Sequence, residues 1–237
     1  MSGLAEPRIR ADFHSHTHFS SDGAMPPEVL VERAAAAGLD RIAVTDHGEI
    51  DGAFRAAEID PTRVIVGEEV RCRCGSELIG LFLRERIPMG LEVEDVAERI
   101  RDQGGLVYAP HPFAYATRPG WRGARVLAVA DLAEAFNSRA FLPAWNRRAA
   151  AEGRRRGIAL GAGSDAHFAW EVGRAHTLLP AFTDAAGLRA ALAGAEPVAV
   201  GLATPFIHGL SISLHALRII RHGRDAEGRI TWKLPPS

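Results

Sequence analysis

Short apolar runs rich in β-branched residues alternate with helical segments along most of the chain. The strand-like runs lie at residues 41–47, 63–70, 77–83, 105–111, 126–137 and 157–167, with a weaker run at 197–203. Segments with a helical spacing of alanine and leucine lie at 26–38, 92–105, 140–157 and 183–194. This alternation is typical of parallel strands joined by helices, so it predicts an α/β fold. No internal repeat or low-complexity linker divides the 237 residues, and we expect one domain over 1–237.

Polar side chains collect where the predicted strands end. The segment "DFHSHTHFSSDG" (12–23) follows the first apolar run with three histidines in five residues. The later strand ends carry Asp46, His47, Glu68, Glu69, His111, Asn137, Asp165 and His167. In a barrel of parallel strands, the carboxyl ends of the strands meet at one rim, where such barrels hold their active sites. The pattern therefore predicts one site built from several strand ends.

Charge and cysteine content exclude several classes of protein. The net charge is −1, which provides no basic surface for extensive nucleic-acid binding. Cys72 and Cys74 are too few for a disulfide framework or a four-cysteine zinc site. The apolar runs are shorter than the roughly 18 residues that span a bilayer, and the first residues do not resemble a secretory signal. We therefore expect a cytoplasmic protein with no membrane contact and no obligate protein partner, ending in a helix and a basic tail at about 205–237.

The alternation of the histidines predicts metal binding. Side chains at positions i and i+2 of a strand point to the same face, so His14 and His16 can point into one pocket, as can Asp165 and His167. Imidazole and carboxylate ligands together suit Zn, Fe(II) or Mn better than Ca or Mg. A carboxylate such as Glu69 can bridge two ions. Each motif alone could be a core histidine, a solvated acid pair or a helix cap, but their placement at successive strand ends favours a metal site.

Five motifs give the chain a family resemblance. They are "DFHSHTHFSSDG", "VTDH" (44–47), "GEE" (67–69), "PHPF" (110–113) and "GSDAH" (163–167), in that order. With these motifs the chain resembles the PHP family (polymerase and histidinol phosphatase domain) over residues 12–167. The resemblance implies a distorted seven-stranded (β/α)7 barrel of the TIM type and the activity of a metal-dependent phosphoesterase.

The resemblance also implies a set of metal ligands. It assigns one ion to His14, His16, Glu69 and Asp165, a second to Asp22, His47 and His167, and a third to Glu69 with His111. Many phosphatases of the family have a further histidine in the strand after the glutamate motif, where this chain has Ile79. Glu77 could act in its place. We therefore expect two or three divalent ions (Zn, Mn or Fe), of which the third has the fewest ligands.

Residue chemistry and resemblance together predict hydrolysis of a phosphate ester by an activated water. Asp165 is the candidate for positioning or deprotonating this water, and His111 or His167 for protonating the leaving oxygen. Three arginines follow strand-end motifs: Arg118, Arg139 and Arg174. Each can bind a phosphate through two parallel hydrogen bonds or form a surface ion pair. We expect a small phosphorylated metabolite or a nucleotide as substrate, with a nucleic-acid end as a further candidate.

Two alternatives from other classes stay open. One is a C–N hydrolase of the amidohydrolase type, because such enzymes use similar His-x-His barrels. The set of "TDH", "HP" and "GSDAH" motifs argues against it. The other is a non-catalytic, metal-stabilised module that binds a nucleotide or a partner protein. The presence of every core motif favours catalysis over this second alternative.

Overall fold

The structure is a computed structural model that describes residues 7–114, 121–203 and 205–222. The strands are β1 (Arg8–Asp12), β2 (Arg41–Val44), β3 (Val64–Arg71), β4 (Glu77–Leu81), β5 (Leu106–Ala109), β6 (Leu132–Asn137), β7 (Ala159–Gly163), β8 (Ala175–Pro180) and β9 (Glu196–Ala199). The helices are α1 (Pro27–Ala36), α2 (Asp51–Ile59), α3 (Val93–Asp102), α4 (Trp121–Val129), α5 (Pro143–Arg156), α6 (Ala185–Ala191) and α7 (Pro205–His222), and a 3₁₀ turn covers Leu192–Gly194.

All nine strands belong to one sheet. Strands β1 to β7 follow one another across it in chain order, and β8 and β9 extend it at the β1 edge. Strand β4 pairs antiparallel with β3 and β5, and β8 pairs antiparallel with β1 and β9, while the other neighbours are parallel. The expected α/β class is confirmed. The expected (β/α)7 count is not, because the segment 72–76 is too short for a helical crossover and β8 covers the edge of β1.

The sheet is nearly closed into a barrel where β7 returns to β1 and β8. Ala162 of β7 donates its backbone N–H to Oγ1 of Thr177 in β8 at 2.9 Å. Beyond the strand ends, Ser15 and Ala166 form an isolated parallel bridge, and His16 donates its N–H to the Ala166 carbonyl at 2.8 Å. These bonds hold the segment after β1 against the segment after β7. The histidine motif and the "GSDAH" motif therefore lie side by side.

Apolar side chains fill both faces of the sheet. Inside the barrel, the Phe13 ring packs edge-on against Tyr108 at 6.1 Å between centroids and lies 6.4 Å from Phe182. The outer face is covered by helices, whose buried residues include Leu30 of α1 and Ile100 of α3. The core therefore occupies the barrel and its outer layer, which leaves the carboxyl ends of the parallel strands to carry polar side chains.

The structure corrects one predicted element and adds two that the sequence analysis did not predict. The run 126–137 was expected to be one strand, but its first residues belong to α4 and β6 begins only at Leu132. Asp131 separates the two, because its carboxylate and its N–H both bond to the backbone of Val107. Helix α2 and strand β8 have no counterpart in the sequence prediction. Strand β8 alternates buried and half-buried residues, and its pairing with β1 is a long-range contact that a local pattern does not reveal.

Helix α7 lies within the segment expected to hold a C-terminal helix, and the expected basic tail lies outside the described residues. It contacts the loop after β1, since Arg218 donates to the Ser20 carbonyl at 2.6 Å and Nδ1 of His215 lies 2.7 Å from Oγ of Ser21. Among the described residues, no helix has the length and apolar character that crossing a membrane requires.

The contact between β7 and β8 generates a stability prediction. Replacing Thr177 with Val keeps the shape of the side chain but leaves the buried N–H of Ala162 without its acceptor. We expect the free energy of unfolding in urea to fall by about 1–3 kcal/mol. The exposed Thr183→Val variant should change it by less than about 0.5 kcal/mol. Equal urea concentrations at the midpoint of unfolding for the two variants would mean that this contact does not stabilise the barrel.

Candidate metal centre

The segment after β1 points two imidazoles into the barrel mouth. His14 and His16 are fully buried, and Ser15 between them points the other way, donating its hydroxyl to the Ala43 carbonyl at 2.6 Å. Because side chains alternate along an extended chain, this bond fixes the direction of both rings. The predicted convergence of the two histidines on one pocket is what the structure shows.

The first group of candidate ligands surrounds a space that could hold an ion. The Nε2 atom of His14 lies 3.1 Å from Nε2 of His16, 3.3 Å from Oε2 of Glu69 and 3.6 Å from Oδ1 of Asp165. The Nε2 atom of His16 lies 3.4 Å from each of the same two oxygens. Ligands placed tetrahedrally at about 2.0–2.1 Å from a zinc ion would be separated by about 3.3 Å. These four residues therefore fit a divalent cation.

The second group lies beside the first. The Oδ2 atom of Asp22 is 3.5 Å from Nε2 of His47 and 3.1 Å from Nε2 of His167. The Nδ1 atom of His167 bonds to the carbonyl of Asp165 at 2.8 Å, so the lone pair of Nε2 is directed at the group. A nitrogen of His16 comes within 4.8 Å of nitrogens of both other rings.

Glu69 connects these groups with His111. Its Oε2 atom faces His14 and His16 and lies 3.1 Å from Nδ1 of His47. Its buried Oε1 atom accepts no hydrogen bond from the described residues, and Nε2 of His111 lies 3.3 Å away. The two oxygens thus point in different directions, as in a carboxylate that bridges two ions. The third predicted group is accordingly assembled, with few ligands.

Neighbouring charges set the protonation of the cluster. Burial opposes ionisation of Glu69, but His47 and His14 outweigh it and hold the pKa of Glu69 well below its usual range. Burial likewise opposes ionisation of Asp165, whose pKa is held low mainly by His14. Burial, with His167 and His47 nearby, lowers the pKa of His16 to about 3, so its ring is neutral. Burial opposes protonation of His14 and His47, but the carboxylates outweigh it and raise the pKa of both rings well above the usual range. The carboxylates and His16 therefore already have the protonation states that metal binding requires, whereas His14 and His47 must release a proton.

Glu134 of β6 is a site residue that the sequence analysis missed. Its carboxylate accepts hydrogen bonds from Nδ1 of His14 (3.1 Å), the Tyr108 hydroxyl (3.1 Å), the His111 N–H (2.6 Å) and Nδ2 of Asn137 (2.9 Å). It holds the N–H tautomer of His14 that leaves the Nε2 lone pair facing the cluster. The available signal was a single acid within the apolar run of β6, because a buried charge needs partners.

Asp46 and Glu171 fix the loops that carry the ligands. Asp46 accepts two 2.6 Å hydrogen bonds from the N–H and hydroxyl of Thr17, which anchors the loop between His16 and Asp22. Glu171 accepts the N–H of His167 at 2.9 Å. Glu171 in turn forms a buried ion pair with Arg139 at 3.1 Å.

The structure describes two of the three predicted phosphate-binding arginines, Arg139 and Arg174. Arg139 is buried, with its guanidinium bonded to Glu171 and to Oγ of Ser211 at 2.9 Å. Arg174 donates to the Leu202 carbonyl at 3.1 Å. Arg118 lies outside the described residues. The structure thus places Arg139 behind the His167 loop, through Glu171.

Two of the strand-end ligands have unusual backbone conformations. Within the described residues, three non-glycine residues have positive φ: Phe82, His111 and Asp165. His111 has φ 23° and Asp165 has φ 52°, conformations that cost about 1–3 kcal/mol each. Surrounding bonds hold them there, including the N–H of His111 to Glu134 and the N–H of Asp165 to the His14 carbonyl. Strain of this kind concentrates at functional sites.

Family models match two parts of the chain. A model described as PHP domain matches residues 12–104, and one described as PHP-associated matches residues 143–196. An uncharacterized protein of Methanocaldococcus jannaschii is 33% identical over 174 residues, which are 71% of this chain and 69% of that protein. The error-prone DNA polymerase of Mycobacterium tuberculosis is 46% identical over 65 residues, which are 25% of this chain and 6% of the polymerase.

Solved structures share the fold. A two-domain protein from Bacteroides vulgatus, described as containing a predicted PHP-like metal-dependent phosphoesterase, has a TM-score of 0.65 at 20% identity and covers 88% of this chain and 70% of its own. An amidohydrolase from Chromobacterium violaceum has a TM-score of 0.57 at 18% identity and covers 69% of this chain and 89% of its own. At these identities the likeness concerns the fold alone.

Glu134 should control metal affinity. Replacing it with Gln keeps its size but puts an N–H₂ group among four donors, so at least one of them loses its acceptor. We expect metal affinity to fall about 10- to 100-fold, measured by competition with a chromogenic chelator. Glu152→Gln, on the surface of α5, is the matched control. Unchanged affinity in the Glu134 variant would show that His14 needs no orienting partner.

Binding of an ion next to His111 should release a proton. Burial alone would lower the pKa of His111, but the Glu69 carboxylate, 3.3 Å from its Nε2 atom, raises the pKa to about 9. Below that pH the ring is protonated in the metal-free protein, so the ion must displace the proton. Affinity should rise by at least about tenfold per pH unit from pH 7 to 9, because the pKa values of His14 and His47 are raised as well.

Calorimetry in two buffers of different ionisation enthalpy measures the released proton. The His111→Asn variant should release about one proton fewer than the wild type. A pH-independent affinity in the wild type would contradict the expectation.

Proposed function

Because this chain belongs to the PHP domain family, we propose that it is a metal-dependent hydrolase of phosphate esters. The observation that carries the proposal is the convergence of the three ligand groups on the one buried carboxylate of Glu69. Adjacent cations can neutralise the charge that develops on a phosphoryl group in an in-line displacement. The proposed ligands are His14, His16, Asp22, His47, Glu69, His111, Asp165 and His167, with Zn, Mn or Fe as the ions.

Bound divalent ions would supply positive charge for the phosphate and acidity for a nearby water. Residues of the chain would then accept the proton that the attacking water loses. Asp165 keeps Oδ1 toward the cluster and accepts a hydrogen bond from Asn137 on Oδ2 at 3.1 Å, so its carboxylate is held in one orientation. We assign to it the positioning of the attacking water and acceptance of its proton.

The leaving oxygen needs a proton donor at the rim. His111 is the first candidate where the position beside it holds no ion, since its side chain is 11% exposed and its protonated form is favoured by Glu69. His167 is the second, although its Nδ1 proton is bonded to the Asp165 carbonyl. A histidine that binds an ion donates a proton less readily, so His111, beside the group with fewest ligands, is the better placed.

The proposed substrate is a small phosphorylated metabolite or a nucleotide. Near-neutral net charge favours a small molecule over a long polyanion. A nucleic-acid end stays a candidate because part of a DNA polymerase is similar to this chain. Arg118 and Arg174 are proposed as phosphate contacts. For Arg139, the ion pair with Glu171 supports a positioning role instead.

The likeness to an amidohydrolase fold supports a second candidate, hydrolysis of a C–N bond. The same ligands could serve either reaction, because an activated water attacks a carbonyl as it attacks phosphorus. A panel of phosphomonoesters, nucleotides and cyclic amides assayed on the metal-loaded protein separates the two. Hydrolysis of the amides alone would replace the phosphoesterase proposal, and no turnover on any substrate would favour a binding module.

Asp165→Asn tests the mechanism on the best substrate. The change removes charge from the first ligand group and keeps the size of the side chain. We expect kcat to fall by about 10²–10⁴ with the fold intact by circular dichroism. His176→Asn, on β8 and outside the cluster, should retain activity within about threefold. Equal losses in the two variants would place the active site elsewhere.

A further inference from the structure

The hairpin of β3 and β4 places a second glutamate beside Glu69. In this antiparallel pair Glu69 lies opposite Ile79, and Arg71 lies opposite Glu77. Directly opposed residues of a ladder point to the same face, and so do residues two apart on one strand. Glu69 and Glu77 therefore share the face that looks into the barrel mouth.

The distances between Glu77, Glu69 and His47 agree with this pairing of β3 and β4. One carboxylate oxygen of Glu77, one of Glu69 and one ring nitrogen of His47 all lie within 4.8 Å of one another. Glu69 is fully buried, and its Oε1 atom accepts no hydrogen bond from the part of the chain that the structure describes. Two carboxylates that converge in a buried place repel each other unless a proton or a cation lies between them.

Ligand chemistry distinguishes this position from the first group. The first group has two imidazole nitrogens and two carboxylate oxygens, His14 and His16 with Glu69 and Asp165. At Glu77 the donors are two carboxylates and at most one nitrogen of His47, whose other nitrogen faces Asp22. Carboxylate-rich sites suit Mn²⁺ better than imidazole-rich sites do.

We propose that Glu77 is a metal-binding carboxylate that, with Glu69 and His47, holds a further divalent cation in an oxygen-rich position selective for Mn²⁺ over Zn²⁺. The proposal rests on the metal centre of the proposed function, but it does not depend on the identity of the substrate. This position is distinct from the third group, because His47 lies at Oε2 of Glu69 and His111 lies at Oε1.

Mn²⁺ binding to the full-length, chelator-stripped protein tests this assignment without an activity assay. Electron paramagnetic resonance of free Mn²⁺ gives the number and affinity of bound ions. We expect Glu77→Gln to weaken one Mn²⁺ by about 10- to 100-fold and to leave one tight Zn²⁺ in place. Glu68→Gln is the matched control, because Glu68 is a buried acid on the opposite face of β3, bonded to the N–H of Ile87 at 2.8 Å.

A histidine variant keeps the test valid if Glu77→Gln does not fold. Glu77→His restores a ligand but replaces oxygen with nitrogen, so it should bind the wild-type number of ions and prefer Zn²⁺ at that position. Wild-type Mn²⁺ number and affinity in Glu77→Gln, or wild-type metal preference in Glu77→His, would overturn the role of Glu77. A wild type that binds no divalent ion would instead overturn the proposed metal centre itself.

Discussion

A single buried carboxylate organises the mouth of this barrel. The two oxygens of Glu69 lie within 3.5 Å of nitrogens of four histidines: His14, His16, His47 and His111. An isolated charge at such a depth costs several kcal/mol, so Glu69 is compatible with folding only where positive charge surrounds it. Because the four rings come from three different strand ends, that requirement ties β1, β2, β3 and β5 to one another at the rim.

The next layer of contacts holds the rings in the orientation that Glu69 needs. Glu134 fixes the tautomer of His14 and the backbone of His111, while Asp46 anchors the loop that follows His16. The ion pair of Arg139 with Glu171 supports the backbone of His167. These contacts also hold the positive φ of His111 and Asp165, so packing around the site compensates for strain within it.

Sequence patterns predicted the convergence of the candidate ligands better than they predicted the architecture. Two patterns predicted that these residues converge: the i, i+2 spacing of His14 and His16, and the placement of His47, Glu69 and Asp165 at strand ends. The structure places all five in one cluster. The periodicity of polar residues and their position at the end of a strand are local properties, so they can be recognised in a single sequence. The nine-stranded sheet, the pairing of β8 with β1 and the helical start of the run at 126–137 depend on contacts distant in the chain.

Residues that act through others were the hardest to predict. Glu134 lies in an apolar run without a recognisable motif, and its role becomes visible only when its four donors are placed around it. Arg139 follows a strand-end motif, as a phosphate ligand would, yet its partner Glu171 comes from the loop after β7. The sequence offered Glu77 as an acid that could act in place of the missing histidine, and the register of β3 with β4 places it beside Glu69.

Anomalous X-ray scattering from crystals grown with Mn²⁺ or Zn²⁺ tests the central claim most directly. The account predicts at least two anomalous peaks inside the cluster, about 3.5–4 Å apart, with the Glu69 carboxylate between them. Protein that crystallises in this fold at saturating metal and gives no peak near Glu69 would contradict it.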